Sequence, residues 1–525
     1  LREYCRQQLP LYMHPAHFVT LERLPLTGNG KIDRLRLPKV EAQENVNYEG
    51  ARTTTEASLI RIWEEVLERD GIGIRDNFFM LGGHSLKGIR LLWKIRKELG
   101  AELSFRDLFS HAELSEQATL IDGKESAVEL PALKPAPPAD SYPLSHAQRR
   151  LWLLDRLEGA GQLYTMPAAY RVPGDWETDR LEAALNGLIA RHEILRTVID
   201  MKDGEPVQQV LAEGRIRLHY ETVDAGTLEA RLRLDRERTF DLSVFPLLSF
   251  ALYRVGPDEQ VLSLNMHHII SDEWSAELMV SELNDLYEGR QLTAPQLQYK
   301  DYSVWQQQLL AGGWMAKAEQ YWLEQFAGGI PVLELPEDHR RPAIRSGRGA
   351  SVRVQLDKAI VSGLEALSRS QGASLYMTLL ATVKGLLYRY SGQNDIVIGS
   401  PVAGRSREEL SDQLGFYVNT LALRTQFDGE ASFRELLAKV QQTVLSGLEH
   451  QDYPFDGLVE KLKIERDLSR SPLFDVMVVL ENTTTGWEEI PAENAISKFD
   501  WTLLFRPAGE EMTLEIEYNT DIFSR

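Results

Sequence analysis

At 525 residues, 43% apolar and 26% charged, the chain has room for about three or four ordinary domains and reads as globular protein. Its net charge of −20 argues against a phosphate-backbone partner, and no apolar run reaches the roughly 20 residues that span a bilayer, so neither nucleic acid nor membrane is expected to bind. A single cysteine, Cys5, forms no internal disulfide, and no signal peptide is visible, which points to a reduced, cytoplasmic protein.

The chain starts with Leu and stops mid-pattern at Ser524-Arg525, so it reads as a piece of something larger. Residues 1–45 are punctuated by Pro25 and the Thr27-Gly28-Asn29-Gly30 cluster, with Lys31 directly after, and are too short for a core of their own. Residues 51–122 predict a small helical domain. Leu59, Ile62, Trp63, Val66 and Leu67 fall at helical spacing behind a Thr/Glu cap. A second helix begins near Ser85, after Gly82 and Gly83, with Leu86, Ile89, Leu92, Trp93 and Leu99 on one face. Residues 123–142 are rich in Pro and Ala without periodicity, the composition of a semi-rigid linker. From 143 to 525 helical and strand-like patterns alternate, enough for two α/β subdomains.

Within that region MHHIISDEWS (266–275) stands out. If Leu262–His268 is a strand, its neighbouring side chains point to opposite faces, so one histidine turns to packing and the other to a cleft. The same alternation argues against a metal site, which needs ligands on one face.

The stretch DNFFMLGGHSLKG resembles the carrier (thiolation) domains of nonribosomal peptide synthetases, and the resemblance implies 4′-phosphopantetheine covalently attached to Ser85. LPLTGNGKIDR resembles the last motif of the adenylation domain that precedes such carriers, which makes residues 1–45 a C-terminal remnant and Lys31 a catalytic residue without its pocket. MHHIISDEW resembles the HHxxxDG motif of condensation domains. SHAQRRLWLLDRLEG, RHEILRT, YKDYSVWQ, IGSPVAGR, GFYVNTLALR, HQDYPFDGLVEKL and RSPLFDVMVVL fall around it in the family's order.

The resemblance implies a multidomain chain: a small four-helix carrier bundle (51–122), a linker, and a two-lobed α/β, chloramphenicol-acetyltransferase-like condensation domain (143–525) with lobes meeting near 310. It implies an amide-bond-forming acyltransferase, in which a donor thioester on the carrier is attacked by the amine of a downstream aminoacyl-carrier. The implied partners are the upstream adenylation domain, that acceptor carrier and a phosphopantetheinyl transferase. An epimerisation domain and a non-catalytic recruitment domain of the same fold are the alternatives.

His268 is the implied catalytic residue, as a general base or a positioner of the amine, with His267 and Asp272 as supports. Since the family's aspartate pairs with an arginine, Arg196 is the candidate partner. Glu273 stands where the family usually has glycine. It is open to three readings: a variant facing solvent, a residue narrowing the acceptor entrance, or an engineered or inactivating change. Facing the site, its charge is expected to favour a protonated His268.

Overall fold

The computed structural model describes residues 48–83, 85–124, 131–156, 163–172, 176–256, 259–465, 467–481, 487–490 and 496–525. Lys31 therefore lies outside the described residues. Two compact units emerge, one from residues up to 103 with 107–125, the other from 104–106 with 126–525.

The first unit contains helices Thr54–Leu67, Ser85–Leu99 and Leu114–Asp122 and all but the first two residues of Phe105–Ser110. Thr53 and Glu56 form a reciprocal capping box at the first, satisfying two amides that a helix end otherwise leaves open. Leu59, Ile62, Trp63, Leu91, Ile95 and Leu108 are fully buried at its centre, and the Trp63 indole donates to Gln117 Oε1 at 3.3 Å. The helix begins at Ser85, where the sequence places it, but its buried stripe runs through Leu91 and Ile95. Trp93 is only half-buried, with the Lys97 ammonium 4.2 Å from its ring centroid.

The second unit is built on three sheets. Strands β1 (Tyr142–Pro143), β2 (Ala168–Val172), β3 (Thr197–Lys202), β4 (Glu205–Val210), β5 (His219–Val223), β6 (Leu248–Val255) and β7 (Gln260–Met266) come from its first half. Strands β8 (Gly349–Leu356), β9 (Asp395–Val402), β10 (Asn419–Gln426), β11 (Val476–Leu480), β12 (Glu488–Glu489), β13 (Trp501–Ala508) and β14 (Glu511–Asn519) come from its second. The orders are β1-β4-β3, β12-β2-β7-β6-β5 and β10-β9-β11-β13-β14-β8. β12 thus leaves its own half to pair with β2, Glu488 opposite Arg171 and Glu489 opposite Tyr170. β7, flanked by β2 and β6, is buried at every position, the pattern of a strand covered on both faces.

Residues 131–142, read from sequence as the end of a linker, are tied into this unit. The Trp305 indole donates to Pro131 O at 2.7 Å, Ala136 N donates to Asp301 Oδ1 at 2.8 Å, and Tyr142 pairs with Gln208.

Lys384, on the helix Leu375–Ser391, is fully buried and donates to Ile396 O on β9 and Leu423 O on β10, at 2.8 and 2.9 Å. Burial pushes its ammonium down to about 7, with Asp395 the charge opposing that shift. Lys384→Met is expected to lower stability by about 1–3 kcal/mol in urea melts, because two carbonyls lose a donor that water cannot replace.

Candidate condensation site

The strand carrying the motif ends at Met266, one residue before the first histidine. His267 makes an isolated bridge to Thr165, and His268–Ile270 form a 3-10 turn. Strand alternation is therefore not what separates the two rings. His267 caps the turn: its Nδ1 accepts from Ile269 N at 3.0 Å, which leaves the neutral ring's proton on Nε2, 3.5 Å from Asp155 Oδ1. It is completely buried.

His268 faces the other way, into a cavity of about 210 Å³ whose walls include Tyr164, Arg150, Phe416, Asp456 and Lys498. Its Nδ1 lies 2.8 Å from Ser271 O, and a carbonyl only accepts, so Nδ1 carries the proton and Nε2 keeps its lone pair. The Phe416 ring meets it edge-on at 4.9 Å. Burial, then the Lys498 charge, pushes the imidazole down to about 4; Asp272 acts in the opposite sense. The ring is neutral at pH 7.

Asp272 touches no cavity wall. It caps the helix Glu273–Tyr287, its Oδ1 accepting from Ser275 N at 2.8 Å and its Oδ2 from Tyr417 N at 2.9 Å. Its cationic partner is Arg405, not Arg196: Arg405 Nη2 lies 3.2 Å from Oδ1, with both side chains buried. Arg196 is spent on main-chain carbonyls, Nε donating to Leu211 O and Nη1 to Ile189 O and Ala190 O at 2.9–3.0 Å. Arg405 closes IGSPVAGR, the stretch through which sequence could have suggested it. Its Nη1 donates to Gln413 O at 2.7 Å and to Leu410 O, and Nη2 donates to Ser275 Oγ at 2.7 Å. Gly404 before it sits at φ +64°, where an added Cβ would stand 1.8 Å from Tyr417 O, so only glycine delivers the arginine here.

Glu273 opens the helix that Asp272 caps. The residue is exposed overall, and partial desolvation of its carboxyl, followed by the charges of Glu481 and Glu277, raises it to about 7. Arg506 opposes the shift. Glu273 does not line the His268 cavity and is not among the groups that shift that ring, which burial and Lys498 drive toward its neutral form. Because the folded-state value exceeds the unfolded one of 4.5, stability from the protonated carboxyl is complete below 4.5 and fades as pH rises through about 7. Glu273→Gln is accordingly expected to gain in Tm over the parent as pH is raised from 5 to 8, read by thermal melts across that range.

In the first unit, a Cβ on Gly83 would lie 2.3 Å from the Phe78 ring, so the loop is pressed onto the core just before the helix beginning at Ser85. A serine at the start of a 15-residue helix, reached through so tight a loop, fits a phosphate-linked arm, whose anion the helix dipole favours.

The family model for the phosphopantetheine attachment site matches residues 57–121 and that for the condensation domain matches 138–525. Bacitracin synthase 3 of Bacillus licheniformis is 42% identical over all of this chain, which spans 8% of that protein. Tyrocidine synthase 3 of Brevibacillus parabrevis is 40% identical over the whole chain, and here too the chain spans 8% of the relative. Among solved structures, the X-domain from teicoplanin biosynthesis aligns with TM-score 0.70 and 28% identity over 75% of this chain and 93% of its own. The condensation domain of the monacolin K polyketide synthase MokA shares the fold at TM-score 0.68 and 22% identity, over 74% and 93% of the two chains. The chain belongs to the condensation-domain family, joined to a phosphopantetheine attachment domain as a carrier-plus-condensation region of nonribosomal peptide synthetase type.

Proposed function

We propose that this region joins a donor acyl or peptidyl thioester, held on Ser85 through phosphopantetheine, to the amine of an aminoacyl thioester on a separate carrier. When bound, the arm supplies a mobile thioester that carries the donor to the cavity. The observation that carries the reading is His268: Nδ1 is locked on Ser271 O and the ring lines a cavity that also receives Lys498 and Arg150. A neutral ring with a free Nε2 lone pair accepts a hydrogen bond from an incoming amine and aims its lone pair at the carbonyl carbon. With the imidazole held near 4 it is a weak base, so positioning comes first and proton acceptance follows once the nitrogen has turned acidic by bonding. Arg405 and Asp272 hold the turn from behind.

The partners in this reading are the upstream adenylation domain, which supplies the donor, a phosphopantetheinyl transferase, and an acceptor carrier, all in the cytoplasm. The X-domain of teicoplanin biosynthesis forms a complex with OxyB. That neighbour is the basis for the second reading, a recruitment domain.

The test loads Ser85 from pooled L-aminoacyl-coenzyme A with a phosphopantetheinyl transferase, adds pooled aminoacyl carriers, and follows products by mass spectrometry. A dipeptidyl thioester supports condensation. An epimerised donor without product supports the epimerisation alternative, and an unchanged donor supports recruitment. Independently, 13C-histidine NMR of the full chain is expected to show His268 titrating near pH 4; titration near the ordinary value of 6.5 would refute the neutral-ring mechanism.

A further inference from the structure

Lys498 belongs to none of the stretches that carry the family resemblance, yet it lines the same cavity as His268. It stands in the short segment before β13, and that segment is held on all sides. Ser497 N donates to Gly347 O at 2.9 Å, and Ser497 Oγ donates to Phe499 O at 2.6 Å. Two residues on, Asp500 takes Arg341 Nη1 at 3.0 Å and Nη2 at 2.5 Å. The backbone carrying Lys498 is thus fixed before any substrate arrives.

The ammonium is a different matter. Among the described residues it makes no ion pair and no hydrogen bond. Its close neighbour is the face of Tyr164, with the ring centroid 5.5 Å away. Burial pushes this ammonium below the usual lysine range; Glu517 on β14 is the carboxylate that favours its charge, while Arg150, paired with Asp456 at 3.3 Å, adds to the downward push. A desolvated ammonium with three unspent N–H groups is costly unless an anion completes it. A carbonyl oxygen that gains negative charge during acyl transfer is such an anion.

We propose that Lys498 is a second reacting-centre residue: its ammonium faces the carbonyl oxygen of the donor acyl group and holds the negative charge that collects there as the amine attacks. The inference rests on the condensation reading above. The amine lone pair forms the N–C bond while the carbonyl π pair moves onto oxygen, beside Lys498. That pair then returns, the C–S bond breaks with its electrons on sulfur, and the proton leaving nitrogen passes by way of His268 Nε2 to the thiolate. The sum is thioester plus amine to amide plus thiol. Preorganised charge aimed where charge develops is the largest single source of rate in such sites. The phosphodiester of the carrier arm is a poorer match for this cation, because it lies at the end of the arm fixed to the carrier, whereas His268 marks where the thioester must reach.

After burial, the same cation is the next contributor to the lowered His268 value, which gives a readout separate from rate. The charged and titratable groups acting on His268 are Lys498, Asp272 and His267, and those acting on Lys498 are Glu517 and Arg150.

The experiment compares parent, Lys498→Met, Lys498→Gln and Lys498→Arg as full chains with Ser85 loaded, using pooled L-aminoacyl-N-acetylcysteamine thioesters as acceptors. Lys498→Met and Lys498→Gln are expected to lower the maximal rate by about 100-fold. The acceptor concentration for half-maximal rate should change little, and the His268 NMR titration should move upward from the parent position. Lys498→Arg keeps the charge and is expected to stay within about tenfold in rate, with the His268 titration unmoved. If Lys498→Met fails to fold, Lys498→Gln against Lys498→Arg decides. Parental rates in the neutral variants overturn the proposal while leaving condensation intact. A loaded parent that makes no amide overturns the condensation reading, and this proposal with it.

Discussion

Arg405→Ala is expected to destabilise the condensation unit by about 3–5 kcal/mol, because it strands a buried carboxylate. The pair is enclosed, with 2% and 5% of the two side chains exposed, and Asp272 cannot turn toward water without dropping Ser275 N and Tyr417 N. The arginine also donates to Leu410 O and Gln413 O, so its loss removes several hydrogen bonds at once. Arg405→Lys retains a charge but not the fork that reaches two carbonyls and a hydroxyl together, and should recover only part of the loss. Urea melts of the three proteins check this. Equal midpoints for parent and Arg405→Ala would mean the pair holds nothing. Asp272→Asn keeps the cap and is expected to cost less than removing the arginine.

His268→Ala should reduce amide formation by about 100-fold or more while leaving the melting temperature close to that of the parent. Its ring lines the cavity and its hydrogen bond is to a carbonyl of its own turn, so little of the core depends on it. His267→Ala is the contrast. That ring is wholly buried and caps the turn, so the cost appears in stability, and in rate only through a loosened His268. Single-turnover product formation, measured beside thermal melts, separates the two. Full product from a folded His268→Ala protein would remove the residue from the mechanism.

What sequence can and cannot supply follows from how far apart the partners lie. The start of the carrier helix at Ser85 is a local fact, written within a few residues, and is legible; that Asp272 acts as a helix cap emerges from the structure. The partner of Asp272 lies 133 residues away, and nothing in a single sequence joins the two positions. Arg196 is a reasonable candidate by type and motif, but it is consumed by carbonyls 7 and 15 residues from it. The opposite facing of His267 and His268 is expected from strand alternation, a reason that fails, since the strand has ended and a capped turn sets both rings. Glu273 is visible as an anomaly. That its neighbours are Glu277 and Glu481 is not, because the latter arrives from the other half of the unit. Lys498 carries no motif, and only the closing of the cavity gives it meaning.

β12 has a mechanical consequence. It is two residues long, is paired to β2 on the sheet of the other half, and its exposed Arg171–Glu488 pair adds about 0–1 kcal/mol at most. Such a fastener yields early. The buried Arg405–Asp272 knot, with Leu410, Leu414, Phe416 and Tyr417 packed into the core of the first half, yields late. Force that parts the two halves therefore meets uneven compliance, soft at the strand and stiff behind His268. A cleft built this way widens at its rim while the spacing around the imidazole stays fixed.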